Sequence, residues 1–433
     1  VCPTLQDWMP KELMKTTRQF GRLLIWLSVL CCPLSAWVAS AAADPRPAPA
    51  AAADAPAAGP SSSAAPGPAP GTPVPPNAVG PAPPDADVLL PPIFQPSPIP
   101  LGHGLLVGGA VDLRTRTAGT GRRGGAWVNA TELDFQHPIT AKGVPHGNIV
   151  LQLIAEDPPD ISHGRDVQVG EAYLLYKLPL RDDVGTTSFI KLGQFQIPFG
   201  LLAVYDPHLK IVQPLYAQSL GLRTDWGAAL SGTLYGYLQY DFALTTGSGP
   251  NHADVDADRL VTFRLGRTFS TRNGMLTVGG SLLSGRLPVT DPDQSDPFAV
   301  ELPPSGRSRL SHTDFEGDRF TPKTRIGGDF TYGYKAITAR GEAVAGADKS
   351  NRVLGYYLEG DYEFLPRVSG LLARSLFVYP VGNSNASREY VGLNYKAGRH
   401  LSLGAVYEYL RDVPRNSSGQ VRHRLTFQAV LRF

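Results

Sequence analysis

From about residue 103 to the end of the chain, apolar and polar side chains alternate with a period of two, interrupted by clusters of Gly, Pro, Asn, Asp and Ser. Runs of this kind predict strands near 103–116, 126–136, 146–156, 168–179, 187–197, 225–234, 237–246 and 259–269. A second set follows near 275–284, 320–332, 335–346, 352–364, 368–379, 387–397, 400–411 and 421–433. The last run is the clearest: Leu425, Phe427, Ala429, Leu431 and Phe433 alternate with Arg424, Thr426, Gln428 and Arg432. Successive side chains leave a strand on opposite faces, so one face of this strand is oily and the other ionic. Near 352–364, Leu354, Tyr356, Leu358, Tyr362 and Phe364 oppose Tyr357, Glu359, Asp361 and Glu363; near 335–346, Ile337, Ala339 and Ala343 oppose Thr338, Arg340 and Glu342. Near 320–332, Ile326, Phe330 and Tyr332 oppose Arg325 and Asp329.

The connections alternate in length. Tyr235-Gly236, Thr271-Arg-Asn-Gly274, Gly333-Tyr334, Pro366-Arg367 and Gly398-Arg399 read as tight turns, with 137–145 a longer turn on the same side. The stretches 197–224, 247–258, 285–319, 380–386 and 412–420 read as long loops. An even number of strands, short turns at one end, long loops at the other and a terminal aromatic predict an all-β fold: a transmembrane antiparallel up-and-down β-barrel of about sixteen strands, oily face to lipid and polar face to a lumen. A soluble sandwich with its polar rows in water is the competing reading. Barrels of this size leave an aqueous channel, whereas eight-stranded ones are filled by side chains.

The first hundred residues predict export rather than fold. Lys11, Lys15, Arg18 and Arg22 precede the apolar run Leu23 to Leu30, and Ala39-Ser-Ala41 and Ala42-Ala43 follow, so residues 1–43 read as an N-terminal extension and secretory signal peptide. Residues 44–100 are Ala, Pro, Gly and Ser with few large side chains and read as a disordered spacer. Residues 101–433 form the barrel. All three cysteines, Cys2, Cys31 and Cys32, lie in the leader, so no disulfide or thiolate site is expected in the mature chain. The expected location is the bacterial outer membrane, with its lipid and lipopolysaccharide as surroundings.

Charge and chemistry narrow the function. The formal net charge is +2, with no basic run interleaved with aromatics, which argues against nucleic acid. The mean hydropathy of −0.12 is ordinary, as expected where half of every strand faces water. The nine histidines show no metal-ligand spacing and no nucleophile elbow occurs, so neither an enzyme nor a cofactor or metal site is expected. Asp254-Val-Asp-Ala-Asp258 lacks the bend glycine of a calcium loop, Arg259 standing in its place, and reads as a solvated acidic loop.

Glu171-Ala-Tyr-Leu-Leu-Tyr-Lys-Leu, Lys191-Leu-Gly-Gln-Phe-Gln-Ile-Pro-Phe-Gly200 and Gly221-Leu-Arg-Thr-Asp-Trp-Gly-Ala-Ala-Leu-Ser-Gly232 resemble the phosphate-selective porin O and P family over about 165–245, with a weaker echo at Arg325-Ile-Gly-Gly-Asp329 and Arg340-Gly-Glu342. The resemblance implies an outer-membrane porin, a homotrimer, an anion preference such as phosphate, and a loop after Gly200 that re-enters the pore. On that expectation Tyr205, Asp206, His208, Lys210, Tyr216 and Arg223 form the constriction. Arg114, Arg264, Arg325, Asp329, Arg340, Glu342, Glu359, Asp361 and Arg424 line the lumen. Arg374, Arg432, Asp112, Glu132, Asp134 and Glu363 are expected there too, and the signs nearly cancel, so selectivity turns on the charges at the narrowest ring. The expected function is passive diffusion of small hydrophilic solutes or ions; the alternative is a structural or adhesive barrel closed by its own loops.

Overall fold

The computed structural model describes residues 98–117, 125–141, 144–156, 166–179, 185–207, 209–251, 258–272, 274–288, 320–378, 385–412 and 423–433. The predicted signal peptide, nearly all of the spacer, and most of the long loops, including 252–257 of the acidic run, lie outside them.

The strands are β1 (Ile99–Gly102), β2 (Leu105–Arg116), β3 (Gly125–Ala141), β4 (Val144–Glu156), β5 (Asp166–Lys177), β6 (Thr187–Gln196), β7 (Thr224–Leu234), β8 (Leu238–Thr245), β9 (Leu260–Thr271), β10 (Gly274–Pro288), β11 (Phe320–Tyr334), β12 (Ile337–Asp348), β13 (Asn351–Leu365), β14 (Val368–Val378), β15 (Asn385–Lys396), β16 (Leu401–Asp412) and β17 (His423–Arg432). From β2 onward each strand pairs antiparallel with the next, and β17 returns to pair with β2, Leu431 opposite Val111 and Phe427 opposite Thr115. The result is a closed barrel of sixteen strands, which leaves no open edge. Each predicted strand has its counterpart. The extra strand β1 was not expected; it is a short hairpin arm folded on β2 through His103 and Gly104, both at positive φ.

The barrel is inverted relative to a soluble protein. Leu354, Tyr362 and Phe364 of β13 are exposed on the outside, while Tyr357 and Glu359 between them are buried inside. On β9 and β17 the same alternation exposes Val261, Leu265, Phe427 and Leu431 and buries Thr262, Arg264, Arg424 and Thr426. A soluble sandwich would place these rows the other way round, since large apolar side chains lose free energy in water at about 25 cal/mol per Å² of apolar surface. Most strands have 10–17 residues, enough for the 9–11 needed to cross a hydrocarbon core at barrel tilt.

Two readings are corrected. The stretch 137–145 is not a long turn: β3 continues to Ala141 and β4 starts at Val144, with His137 opposite Ile149 and Pro138 opposite Asn148. Pro138 and Pro145 resemble turn residues, yet ladder pairing carries both through, Pro145 opposite Thr140. Arg374 does not face the lumen: it sits opposite Glu389 of β15, their charged groups 4.0 Å apart, on the outward row of β14 with exposed Leu372. The neighbouring Ser375 and Phe377 take the inward side and are buried.

Candidate pore constriction

The chain leaves β6 at Gln196 and enters β7 at Thr224, and the 27 residues between fold into the barrel. The neck is closed by the backbone, Ile197 N–H donating to the Arg223 carbonyl at 2.9 Å. Pro198 cannot extend the ladder, and Gly200 takes φ +56°, the left-handed region open to glycine. A Cβ at Gly200 would lie 2.3 Å from Glu342 Oε2, so the position needs glycine for space as well. A single 3-10 turn follows (Gly200–Ala203), and a one-turn helix α1 (Tyr216–Ser219) begins the return.

The segment is held by a wall built for it. Its Phe199, Leu201, Leu215 and Leu220 join inward-facing Val344, Val353, Tyr357 and Phe377 in one buried apolar cluster. Polar anchors ring that cluster. Glu342 accepts from the backbone N–H of Leu201 at 2.8 Å and of Leu215 at 3.2 Å, and Ser281 Oγ accepts from Gly200 N–H at 3.0 Å. Arg325 donates to the Ser219 carbonyl through Nε (3.2 Å) and Nη2 (3.0 Å), and Lys323 Nζ to that of Leu220 at 3.2 Å. Across the lumen, Gln428 Nε2 reaches the Leu209 carbonyl at 2.7 Å and Arg114 Nη2 the Lys210 carbonyl at 3.4 Å. The segment thus starts between β6 and β7 and touches the wall from β10 round to β2.

The expected constriction residues separate into distinct environments. Tyr205 lies beneath the guanidinium of Arg340, 4.7 Å from its ring centre, and Arg340 pairs with Glu359 and with Asp361, the latter at 2.8 Å. Asp206 pairs with Arg223 at 3.3 Å. Lys210 is exposed, its backbone N–H tied to the Pro207 carbonyl at 2.8 Å. Tyr216 is only 3% exposed and Arg223 2%, so both hold the segment together instead of presenting groups to solvent. His208 lies outside the described residues.

Apart from Arg374, the expected lumen residues point inward, but most of the arginines are committed to carboxylates. Arg264 grips Asp329 through two bonds of 3.1 and 2.7 Å across β10, where Gly279 leaves the space; a Cβ there would be 2.3 Å from Arg264 Nη2. Arg325 pairs with Asp348, Arg114 with Asp112, and Glu408 with both Arg388 and Arg424. The anchors Ser281 and Lys323, and the contact made by Gln428, escaped the sequence reading. Only their inward parity could have flagged them, because their partners are remote in the chain.

A closed sixteen-stranded barrel with an apolar exterior, an ionic interior and a chain segment laid across its lumen has the architecture of the outer-membrane porins. The comparisons agree at the level of fold. OmpF of Salmonella typhi, in complex with daunomycin, superposes with a TM-score of 0.52 at 11% identity, covering 76% of this chain and 97% of that one. The trimer form of OmpT, an outer membrane protein of Vibrio cholerae, gives 0.51 at 10% identity, covering 76% and 99%. No protein-family model and no curated protein matches the sequence, so the likeness to the porin O and P family rests on the sequence motifs, chiefly those over 165–245.

Proposed function

We propose that this protein is an outer-membrane porin, a water-filled channel for passive diffusion of small hydrophilic solutes or ions, narrowed by residues 197–223. The observation that carries the reading is the segment itself, clamped at mid-barrel by Glu342 and tethered at its tip by Gln428 and Arg114. A lumen lined by ionic side chains conducts, and the narrowest ring sets what passes. Because Arg264, Arg325, Arg340 and Arg424 are engaged by Asp329, Asp348, Glu359 and Glu408, the wall offers little net positive field, which favours a general or weakly selective pore over a phosphate-specific one. Lipid and lipopolysaccharide surround the apolar exterior, and the trimer form of the Vibrio cholerae barrel supports a homotrimer here.

The second reading, a barrel closed by its own loops, draws support from the apolar bulk of the segment. Recording purified protein in planar bilayers separates the two: stepwise currents with measurable ion selectivity are expected of the pore, and a silent bilayer after verified insertion would reject it.

A further inference from the structure

We infer that Glu342 is the positioning residue of the constriction, a single carboxylate that fixes where the lumen segment lies; the inference rests on the porin reading. The geometry is specific. Oε2 receives the N–H of Leu201 and Oε1 that of Leu215, so the two oxygens close residues 201–215 into one block against β12. Both donors are backbone groups, so any carboxylate at this point holds the segment whatever side chains it carries. Gly200 is shaped to the same contact, its left-handed turn and missing Cβ letting the backbone pass Glu342 closely. The return half of the segment is held by the opposite chemistry, Arg325 and Lys323 binding the carbonyls of Ser219 and Leu220. Glu342 therefore keys amide hydrogens, and the basic pair keys carbonyl oxygens, so the segment fits the wall in one register only. A buried amide left without its acceptor loses more than the bond was worth, which makes one lost contact here felt over the whole block.

Glu342→Gln tests this, because glutamine keeps the shape and supplies one acceptor oxygen where two are needed, turning an NH2 group toward the other amide. The barrel is expected to insert with normal yield and heat-modifiable mobility, while open-channel current noise rises several-fold and substates appear. Glu342→Asp, which keeps both oxygens one methylene further away, should fall between. In a channel lacking 201–215 the Gln substitution should add nothing, since both amides that Glu342 holds are gone. Glu389→Gln on the outward row of β15, opposite Arg374, is the control and should leave the noise at the parent level. Wild-type noise in Glu342→Gln, or an equal effect in the loop-deleted channel, overturns the inference while leaving the porin reading intact. Absence of any current from the parent protein rejects the porin reading itself. If Glu342→Gln fails to fold, Glu342→Asp decides by the same noise measurement.

Discussion

At the scale of single residues, burial decides which side chains of the lumen segment meet a passing solute and which hold the fold. Lys210 is exposed and Arg223 is buried against Asp206, although both are basic residues of one loop. Lys210→Glu is expected to move the reversal potential toward cations, more strongly at low salt, where the screening length grows from about 10 Å at 0.1 M to about 30 Å at 0.01 M. Arg223→Glu should instead reduce the yield of folded barrel, because it sets two carboxylates together in a buried site; heat-modifiable mobility on a detergent gel reads the difference. Gly200→Ala combines a left-handed backbone with a clash against Glu342, and the backbone term alone is about 1–2 kcal/mol. Its expected signature is a lower unfolding temperature together with a less stable current.

Among the elements, β17 and β2 carry the closure. Phe433 N–H and carbonyl exchange bonds of 3.0 Å with Gly109, and the Phe433 ring covers that glycine so closely that a Cβ would lie 2.7 Å from Cζ. Deleting Phe433, or substituting Gly109→Leu, should impair membrane insertion far more than deleting residues 44–90; equal yields, measured by membrane fractionation, would refute it. These strands were legible in the sequence because a period of two needs only neighbours to be seen, and one slip would turn every apolar side chain inward. The reading failed where the pattern was interrupted: β1 is too short to show a period, and Pro138 and Pro145 hid the continuation of β3 and the start of β4. Arg374 was misplaced because charge outweighed parity in judging its face.

For the whole molecule, the lumen segment is the part the sequence conveyed least. Its entry was legible in Pro198-Phe-Gly200, since proline and glycine announce a break locally. Its docking was not, because Glu342, Arg325 and Gln428 are brought to it only by closure of the barrel, the last over a separation of 219 residues. Removing residues 206–214 should widen the narrowest section and raise single-channel conductance; unchanged conductance would mean that the passage lies elsewhere in the lumen.

The grip of Gln428 has a mechanical consequence. The same amide nitrogen that holds the Leu209 carbonyl also donates to Asp112 of β2 at 2.9 Å, so the tip of the segment is fastened at the seam where the first and last barrel strands meet. The chain thus carries an internal strut, reaching from the β6–β7 neck to its own weld line. Docking of the tip and sealing of the cylinder share Gln428, so each is expected to stabilise the other. A shortened loop should then cost more than selectivity: the channel lacking 206–214 is expected to open at its seam at a lower temperature than the parent.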